Sequence, residues 1–397
     1  MTTRPLRIAL VVGEASGDHL GAALLKEIRS RHPETVFFGV AGERMTDAGV
    51  ASLFPLGDVA VMGFAAVVAR LPRIIGRIRE TVAHIVIERP DVLVIIDSPG
   101  FTQSVAKRVA RQLPDLPIVN YVSPSVWAWR EGRARKMARY IDHVMALLPF
   151  EPAVHKRLGG PPCTYVGHPL IENREKLRPA PGERPGLDAD PHVLILPGSR
   201  LSEVKRLMEP FGETARLIAQ SKPDVRFVLP AVAHLRSEIE RRAAEWPVKV
   251  ELVVGEEAKL AAFRKARAAL AASGTVTLEL ALAKVPMVVA YRVEWLARSL
   301  KWLLSVHSIV LANLVLGDNT VPEFLDEAGS PEVLAREILC LLEEGPAREA
   351  QLSGFARLDA IMETPDGQTP SERAADIVLD YAQKGKAASG RPSSIAQ

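Results

Sequence analysis

Four short segments of the chain join glycine to hydroxyl, carboxylate or guanidinium side chains directly after an apolar run. They are Gly13-Glu14-Ala15-Ser16-Gly17-Asp18, Asp97-Ser98-Pro99-Gly100-Phe101, Gly198-Ser199-Arg200 and Ser273-Gly274-Thr275. In the first, glycine permits a tight turn and close approach to backbone, and Ser16 and Asp18 are suited to cap the helix that follows. In the second, Asp97 ends the apolar run Val92–Ile96, the place for a general base acting on a hydroxyl. In the third, Gly198 and Ser199 offer N–H donors to a phosphate, and Arg200 offers a planar fork that matches phosphate oxygens. In the fourth, Ser273, Gly274 and Thr275 open a helix whose positive end suits a diphosphate, with Glu279 on its second turn placed to accept from ribose hydroxyls. Each turn also has a plain structural reading as a capped strand-to-helix junction. A GxGxxG fingerprint is absent and no Gly-Lys-Ser/Thr follows Gly198, which argues against a dinucleotide site and a P-loop.

Such turns need a scaffold. Short β-branched runs, each followed by a helical pattern, recur at Ile8–Val12, Val36–Val40, Val92–Ile96 and Ile118–Val122. A second series runs through Val193–Leu196, Val225–Leu229, Val250–Val254, Ala268–Ala272 and Pro286–Ala290. This alternation predicts an α/β protein of two Rossmann-like, doubly wound parallel-sheet domains facing a cleft. At 397 residues the chain is long enough for two cores. A Pro-, Gly- and charge-rich stretch places the boundary: residues 1–172 form the first domain, 173–191 a linker and 192–383 the second domain. The last helices have the option of packing back on the first domain, and the small, polar, basic tail 384–397 is expected to be disordered. In open parallel sheets ligands bind at the carboxyl ends of the strands, where all four segments fall.

Composition excludes several classes. With 48% apolar and 24% charged residues the chain reads as globular rather than disordered, and a net charge of +3 gives no reason to invoke nucleic acid. Cys163 and Cys340 are far apart and lack a CxxC spacing, so neither a disulfide framework nor a zinc site is expected and the compartment reads as reducing and cytoplasmic. Asp188-Ala-Asp190 has a metal-binding spacing but sits in the linker, and His168 reads as structural, so no metal is expected. The apolar run at Leu6–Val12 meets Gly13 and Glu14 too soon for a signal peptide, and Leu303–Leu316 is shorter than a membrane span.

Two stretches suggest peripheral membrane contact. Phe64, Val67, Val68, Leu71, Ile74, Ile75 and Ile78 recur at helical spacing with Arg70, Arg73, Arg77 and Arg79 between them, and no acidic residue intervenes before Glu80. That pattern suits anionic headgroups, with Pro72 expected to split the stretch into two helices. Trp295 and Trp302 beside Arg298 and Lys301 form a second interfacial pattern. The competing reading is that the apolar residues fill the first domain's core.

Beyond these turns, the chain carries Val61-Met-Gly-Phe64, Tyr121-Val-Ser-Pro-Ser-Val-Trp-Ala-Trp-Arg130, Leu148-Pro-Phe-Glu151 and Val166-Gly-His-Pro-Leu170 in one order with them. On these residues it resembles the lipid A disaccharide synthase family, inverting GT-B glycosyltransferases of Gram-negative bacteria. It departs from the family pattern at Gly100, Ala312 and Asp326. The resemblance implies transfer of 2,3-diacylglucosamine from UDP-2,3-diacylglucosamine to the 6-hydroxyl of 2,3-diacylglucosamine 1-phosphate (lipid X), giving a β-1,6 disaccharide phosphate and UDP. It further implies catalytic roles for Asp97, Glu14 and Ser16, diphosphate binding at Gly198, Ser199, Arg200, Ser273, Gly274, Thr275, Glu279 and Asn313, and no cofactor. Membrane contact through Phe64, Val67, Val68, Leu71 and Ile75 would place the protein on the anionic cytoplasmic face of the inner membrane, and the family suggests a homodimer. The main rival is a UDP-sugar epimerase or another GT-B nucleotide-sugar enzyme. A nucleotide-sugar sensor without catalysis would have no use for Asp97, and a nicotinamide dehydrogenase lacks its glycine fingerprint.

Overall fold

The computed structural model describes residues 4–60, 64–292, 307–364 and 366–389, and it leaves the side chains of 64–69 and 389 undescribed. The described chain divides into two compact units, one reaching to Pro169 and resuming at Thr364, the other spanning Leu170–Glu363.

The first unit is built on seven parallel strands: β1 (Arg7–Val12), β2 (Val36–Val40), β3 (Ala51–Ser52), β4 (Val92–Ile96), β5 (Ile118–Tyr121), β6 (His143–Ala146) and β7 (Cys163–Tyr165). Their order is β3-β2-β1-β4-β5-β6-β7. Residues Ile8 to Val12 and Val92 to Ile96 are all fully buried, as expected of apolar runs covered on both faces. One face packs against helix α1 (Ala15–Arg31) and the helix Pro370–Lys384, through Leu24, Ile28, Ala374 and Val378. After α2 (Glu43–Asp47), helices α3 (Phe64–Glu88) and α4 (Thr102–Gln112) cover the other face through Ile78, Val82, Ile85, Val105 and Val109. Two short helices complete the unit, α5 (Gly132–Met137) and α6 (Glu151–Arg157).

Contrary to the expected split, Pro72 does not divide α3, which runs on for 25 residues. A proline removes one intrahelical hydrogen bond, but the burial of Ile78, Val82 and Ile85 against the sheet holds the remaining turns in place. The tail expected to be disordered from residue 384 begins instead with a 3-10 turn, Gly385–Ser389, and residues 390–397 lie outside the described residues.

The second unit has six parallel strands: β8 (His192–Leu196), β9 (Arg226–Ala231), β10 (Val250–Val254), β11 (Ala268–Ala271), β12 (Met287–Tyr291) and β13 (Glu323–Leu325). Their order is β10-β9-β8-β11-β12-β13. The Pro- and charge-rich stretch before β8 is fastened to this unit by arginines. Arg178 Nη2 meets Asp359 Oδ2 at 2.5 Å, and Arg184 donates to the carbonyls of Ala283 and Lys284, both at 2.7 Å. In each unit the strand order reverses once, between β1 and β4 and between β8 and β11. Each switch point leaves a crevice at the carboxyl ends of its own sheet's strands.

Candidate active site

At the first switch point, Val12 pairs with Ile96, so the chain leaves β1 and β4 at one level. A Cβ on Gly13 would lie 2.4 Å from Ser98 Cβ, and one on Gly17 would lie 3.1 Å from the Ile96 carbonyl oxygen. Glycine at both positions lets the turn after β1 lie directly on the turn after β4. Ser16 Oγ then donates to Asp97 Oδ2 at 2.6 Å, while Asp97 Oδ1 accepts from the Ser98 N–H at 2.7 Å.

Asp97 and Ser98 have φ of 54° and 41°, left-handed backbone that costs about 1–3 kcal/mol per residue and persists only where its surroundings enforce it. The Asp97 N–H donates to the Tyr121 carbonyl at 3.1 Å, and Thr102 Oγ1 donates to the Asp97 carbonyl at 2.7 Å. The result is a half-buried carboxylate beside an exposed serine. Two of its roughly four lone-pair directions are used by these donors, and the others suit a substrate hydroxyl. Glu14 stands at the N-cap of α1 in extended backbone, directly after Gly13.

The capping expected of Ser16 and Asp18 is not observed: α1 has no side-chain cap. Ser16 turns to Asp97, and Asp18 reaches across to α2. Its buried carboxylate accepts from the amides of Gly42 (2.9 Å), Arg44 (2.9 Å) and Met45 (3.1 Å). A Cβ on Gly42 would sit 2.5 Å from the Asp18 carboxyl carbon, so glycine is required there.

At the second switch point the turns after β8 and β11 stand together, but their donors are partly occupied. The Ser199 and Arg200 amides both donate to Glu203 Oε2, at 3.0 and 3.2 Å, and Arg200 Nη1 reaches Glu203 Oε1 at 3.1 Å. The Ser199 amide expected to meet phosphate is therefore held by the Glu203 carboxylate, and the Arg200 side chain, 63% exposed, is the reach of this turn. Gly198 has φ of 111° and its Cβ would strike Glu203 Oε2 at 2.4 Å.

Ser273 Oγ donates to the Ile309 carbonyl at 2.6 Å, while Gly274 and Thr275 lead into the helix Val276–Leu282. Glu279 is paired with Lys259 at 2.9 Å. Burial works to lower the Lys259 ammonium, yet the Glu279 carboxylate holds its pKa above the usual value.

Asn313, expected at the nucleotide, is bonded within its own loop. It is fully buried, its Nδ2 donates to the Val321 carbonyl at 2.9 Å and its Oδ1 accepts from the Val321 N–H at 2.8 Å. Both ends of the amide take part in holding a loop. Glu323 does similar work, accepting from Ser308 Oγ at 2.9 Å and the Ile309 N–H at 3.0 Å.

On α3, Leu71 and Ile75 are 46% and 37% exposed, whereas Ile78, Val82 and Ile85 on the same stripe are buried. Phe64, Val67 and Val68 belong to the helix, with side chains outside the described residues. The unopposed basic face expected here is corrected by Asp58, which the fold brings in from an upstream turn. Asp58 binds Arg77 Nη2 at 2.6 Å and Arg73 Nη1 at 3.3 Å. The segment around Trp295 and Trp302 lies outside the described residues.

Sequence reasoning missed a buried cluster in the first unit. Glu151, 3% exposed, accepts from Trp127 Nε1 at 3.1 Å and the Leu148 N–H at 3.0 Å. Ser123 Oγ lies 2.9 Å from His155 Nε2. Burial raises Glu151 from 4.5 to about 7, against the opposing effect of its hydrogen bonds. Burial lowers His143, His155 and His168 to about 4.

A carboxyl whose pKa is raised by folding adds stability that is complete below its unfolded value and lost as pH rises through the folded one. The histidines act in the opposite sense, losing stability as pH falls from 6.5 toward 4. Their effect cancels when wild type is compared with Glu151→Gln. The melting-temperature advantage of wild type over that variant is expected to shrink between pH 4.5 and about 7. A difference that is flat or grows over this window would contradict the raised pKa.

A family model described as lipid-A-disaccharide synthetase matches residues 8–364. The chain is 55% identical over 381 residues to the lipid-A-disaccharide synthase of Nitrobacter hamburgensis, covering 94% of this chain and 95% of that protein. It is 51% identical over 384 residues to that of Rhodopseudomonas palustris strain HaA2, covering 95% and 97%. In structure it is similar to the UDP-GlcNAc 2-epimerase of Neisseria meningitidis, solved bound to UDP-GlcNAc (TM-score 0.59, 12% identity, covering 96% and 100%). It is also similar to MurG of Acinetobacter baumannii (TM-score 0.55, 13% identity, covering 94% and 99%). These distant likenesses show the fold alone, two Rossmann-like parallel-sheet units of GT-B type, and do not separate transferase from epimerase. The near-full-length family match and the close relatives do: the chain belongs to the lipid A disaccharide synthase family and is a glycosyltransferase.

Proposed function

We propose that the protein transfers 2,3-diacylglucosamine from its UDP derivative to the 6-hydroxyl of 2,3-diacylglucosamine 1-phosphate, with inversion, at the cytoplasmic face of the inner membrane. The observation that carries this reading is the Ser16–Asp97 pair at the first switch point. Asp97 takes the proton of the acceptor hydroxyl as that oxygen attacks the anomeric carbon; the bond to the UDP oxygen breaks and UDP leaves with the electron pair. Ser16 orients the carboxylate, and Glu14 borders the same turn. The second unit takes the donor. Arg200, with the turn at Gly274 and Thr275, meets the negative charge that grows on the diphosphate, so the reaction proceeds without a metal. The test is to incubate the purified protein with both acylated substrates in EDTA and to follow products by mass. Disaccharide phosphate is expected, and an epimerised donor with no disaccharide would support the rival.

Both substrates carry acyl chains, which gives the exposed part of the α3 stripe a role at the lipid surface. Among the described residues no helix is long and apolar enough to cross a membrane. Replacing Leu71 and Ile75 by Ser should weaken binding to anionic vesicles by at least about tenfold, since a buried Leu or Ile side chain is worth about 1.5–3 kcal/mol. The melting temperature should stay near wild type, because both side chains already face solvent. A collapsed melting transition would assign them to the core, and unchanged vesicle binding would remove them from the interface.

A further inference from the structure

The run Ser123-Pro-Ser-Val-Trp-Ala-Trp-Arg130 and the buried carboxyl of Glu151 take no part in the chemistry above, yet the chain holds them at a cost. The turn that follows β5 is bracketed by left-handed backbone at Val122 (φ 73°) and Arg130 (φ 55°), and for a β-branched residue such as valine that is a true outlier. Asn120 Nδ2 fixes the first end by donating to the Val122 carbonyl at 2.8 Å. Ser123, with His155, and Trp127, with Glu151, fix the middle. Trp127 also packs edge-on against Phe150, with ring centroids 5.5 Å apart.

The end of the clamped turn presents an aromatic ring and a guanidinium to solvent. Trp129 is 42% exposed, and the Arg130 guanidinium stacks 4.3 Å from its ring centroid. Among the described residues no carboxylate pairs with Arg130. A guanidinium stacked on an aromatic face and left without a carboxylate partner calls for an anion attached to a ring. The turn departs from the strand beside Asp97, whose N–H is bonded to Tyr121, and Ile96 and Tyr121 are register partners.

We propose that this turn is the subsite for the sugar phosphate end of the acceptor, with Arg130 and Trp129 as its contact residues and Glu151, acting through Trp127, as the positioning residue that fixes it. The inference rests on the transferase reading and names the group that grips one substrate. Arg130 meets the phosphomonoester, and the Trp129 face covers the sugar ring.

The experiment compares the phosphorylated acceptor with its dephosphorylated analogue, recording acceptor KM, donor KM and kcat. Arg130→Ala should raise KM for the phosphorylated acceptor about ten- to a hundredfold, the range for a hydrogen bond between charged groups. It should also erase the preference for phosphate and leave donor KM unchanged. Trp127→Phe keeps the packing but loses the N–H to Glu151, and it should raise acceptor KM with little change in donor KM, as should Glu151→Gln.

Retention of the wild-type phosphate preference by Arg130→Ala, in protein that makes disaccharide, would overturn the subsite alone. Binding of glucosamine 1-phosphate, followed by tryptophan fluorescence, tests the subsite without turnover. Quenching in wild type that disappears in Trp129→Phe and in Arg130→Ala supports it, and equal or absent quenching in all three overturns it. Wild-type protein that binds this probe but forms no disaccharide would count against the transferase reading instead.

Discussion

Asp97→Asn is expected to lower turnover by about two to four orders of magnitude while UDP affinity stays close to wild type. The carboxamide keeps the shape of the side chain: its oxygen accepts from the Ser98 N–H while its amino group donates to the Ser16 hydroxyl. The bonds that hold the turn, from Thr102 Oγ1 and to the Tyr121 carbonyl, involve only the Asp97 backbone and survive the change. What is lost is the ability to take a proton, so the loss should fall on kcat. The check is the rate of disaccharide formation in detergent-dispersed substrate, with a UDP titration alongside. A variant with near-normal turnover would remove Asp97 from the mechanism, and one that no longer binds UDP would mean that the substitution disturbed more than the base.

Asn313→Ala should act on stability and not on the nucleotide. Truncation leaves the N–H and C=O of Val321 without their partners in a site where both residues are fully buried. An unsatisfied buried polar group costs about 1–3 kcal/mol, so the two together should cost roughly 2–6 kcal/mol. Denaturant unfolding should show this loss in the second unit, with UDP affinity of the folded protein retained. Unchanged stability with weakened UDP binding would return Asn313 to the nucleotide site.

These two residues show where sequence was informative and where it was not. A carboxylate after a continuous apolar strand announces its place at a sheet's carboxyl edge, because strand, turn and helix are local patterns. The glycines of the first turn were equally readable as sites of close approach, although what they approach, the Ser98 side chain and the Ile96 carbonyl, lies some eighty residues away.

Partners across the fold were not legible. Asp18 was expected to cap its own helix and instead caps α2, and Asp58 joins arginines 15 to 19 residues downstream, offsetting part of a charge that reads as purely basic along the chain. Asn313 carries no local mark that separates a loop-holding amide from a ligand-binding one. Glu203 could have been found, since a carboxylate at the third position of a helix is placed to accept from the N-cap amide, here that of Arg200. Glu151 and His155 could not, because their importance comes from burial beneath a turn contributed by another strand. The strands β3, β6, β7 and β13 escaped notice for a simpler reason: runs of two to four residues that include Ser, His, Thr or Glu lack the apolar length that marked their neighbours.

In the proposed mechanism a hydroxyl of the acceptor, deprotonated by Asp97, displaces UDP. The most direct test of this step is the rate of UDP release from the acylated donor in the presence of the natural acceptor or of the same acceptor lacking its 6-hydroxyl. Rapid release with the first and none above background with the second is the predicted result. Release at equal rates with both, or conversion of the donor to an epimer in either case, would contradict it.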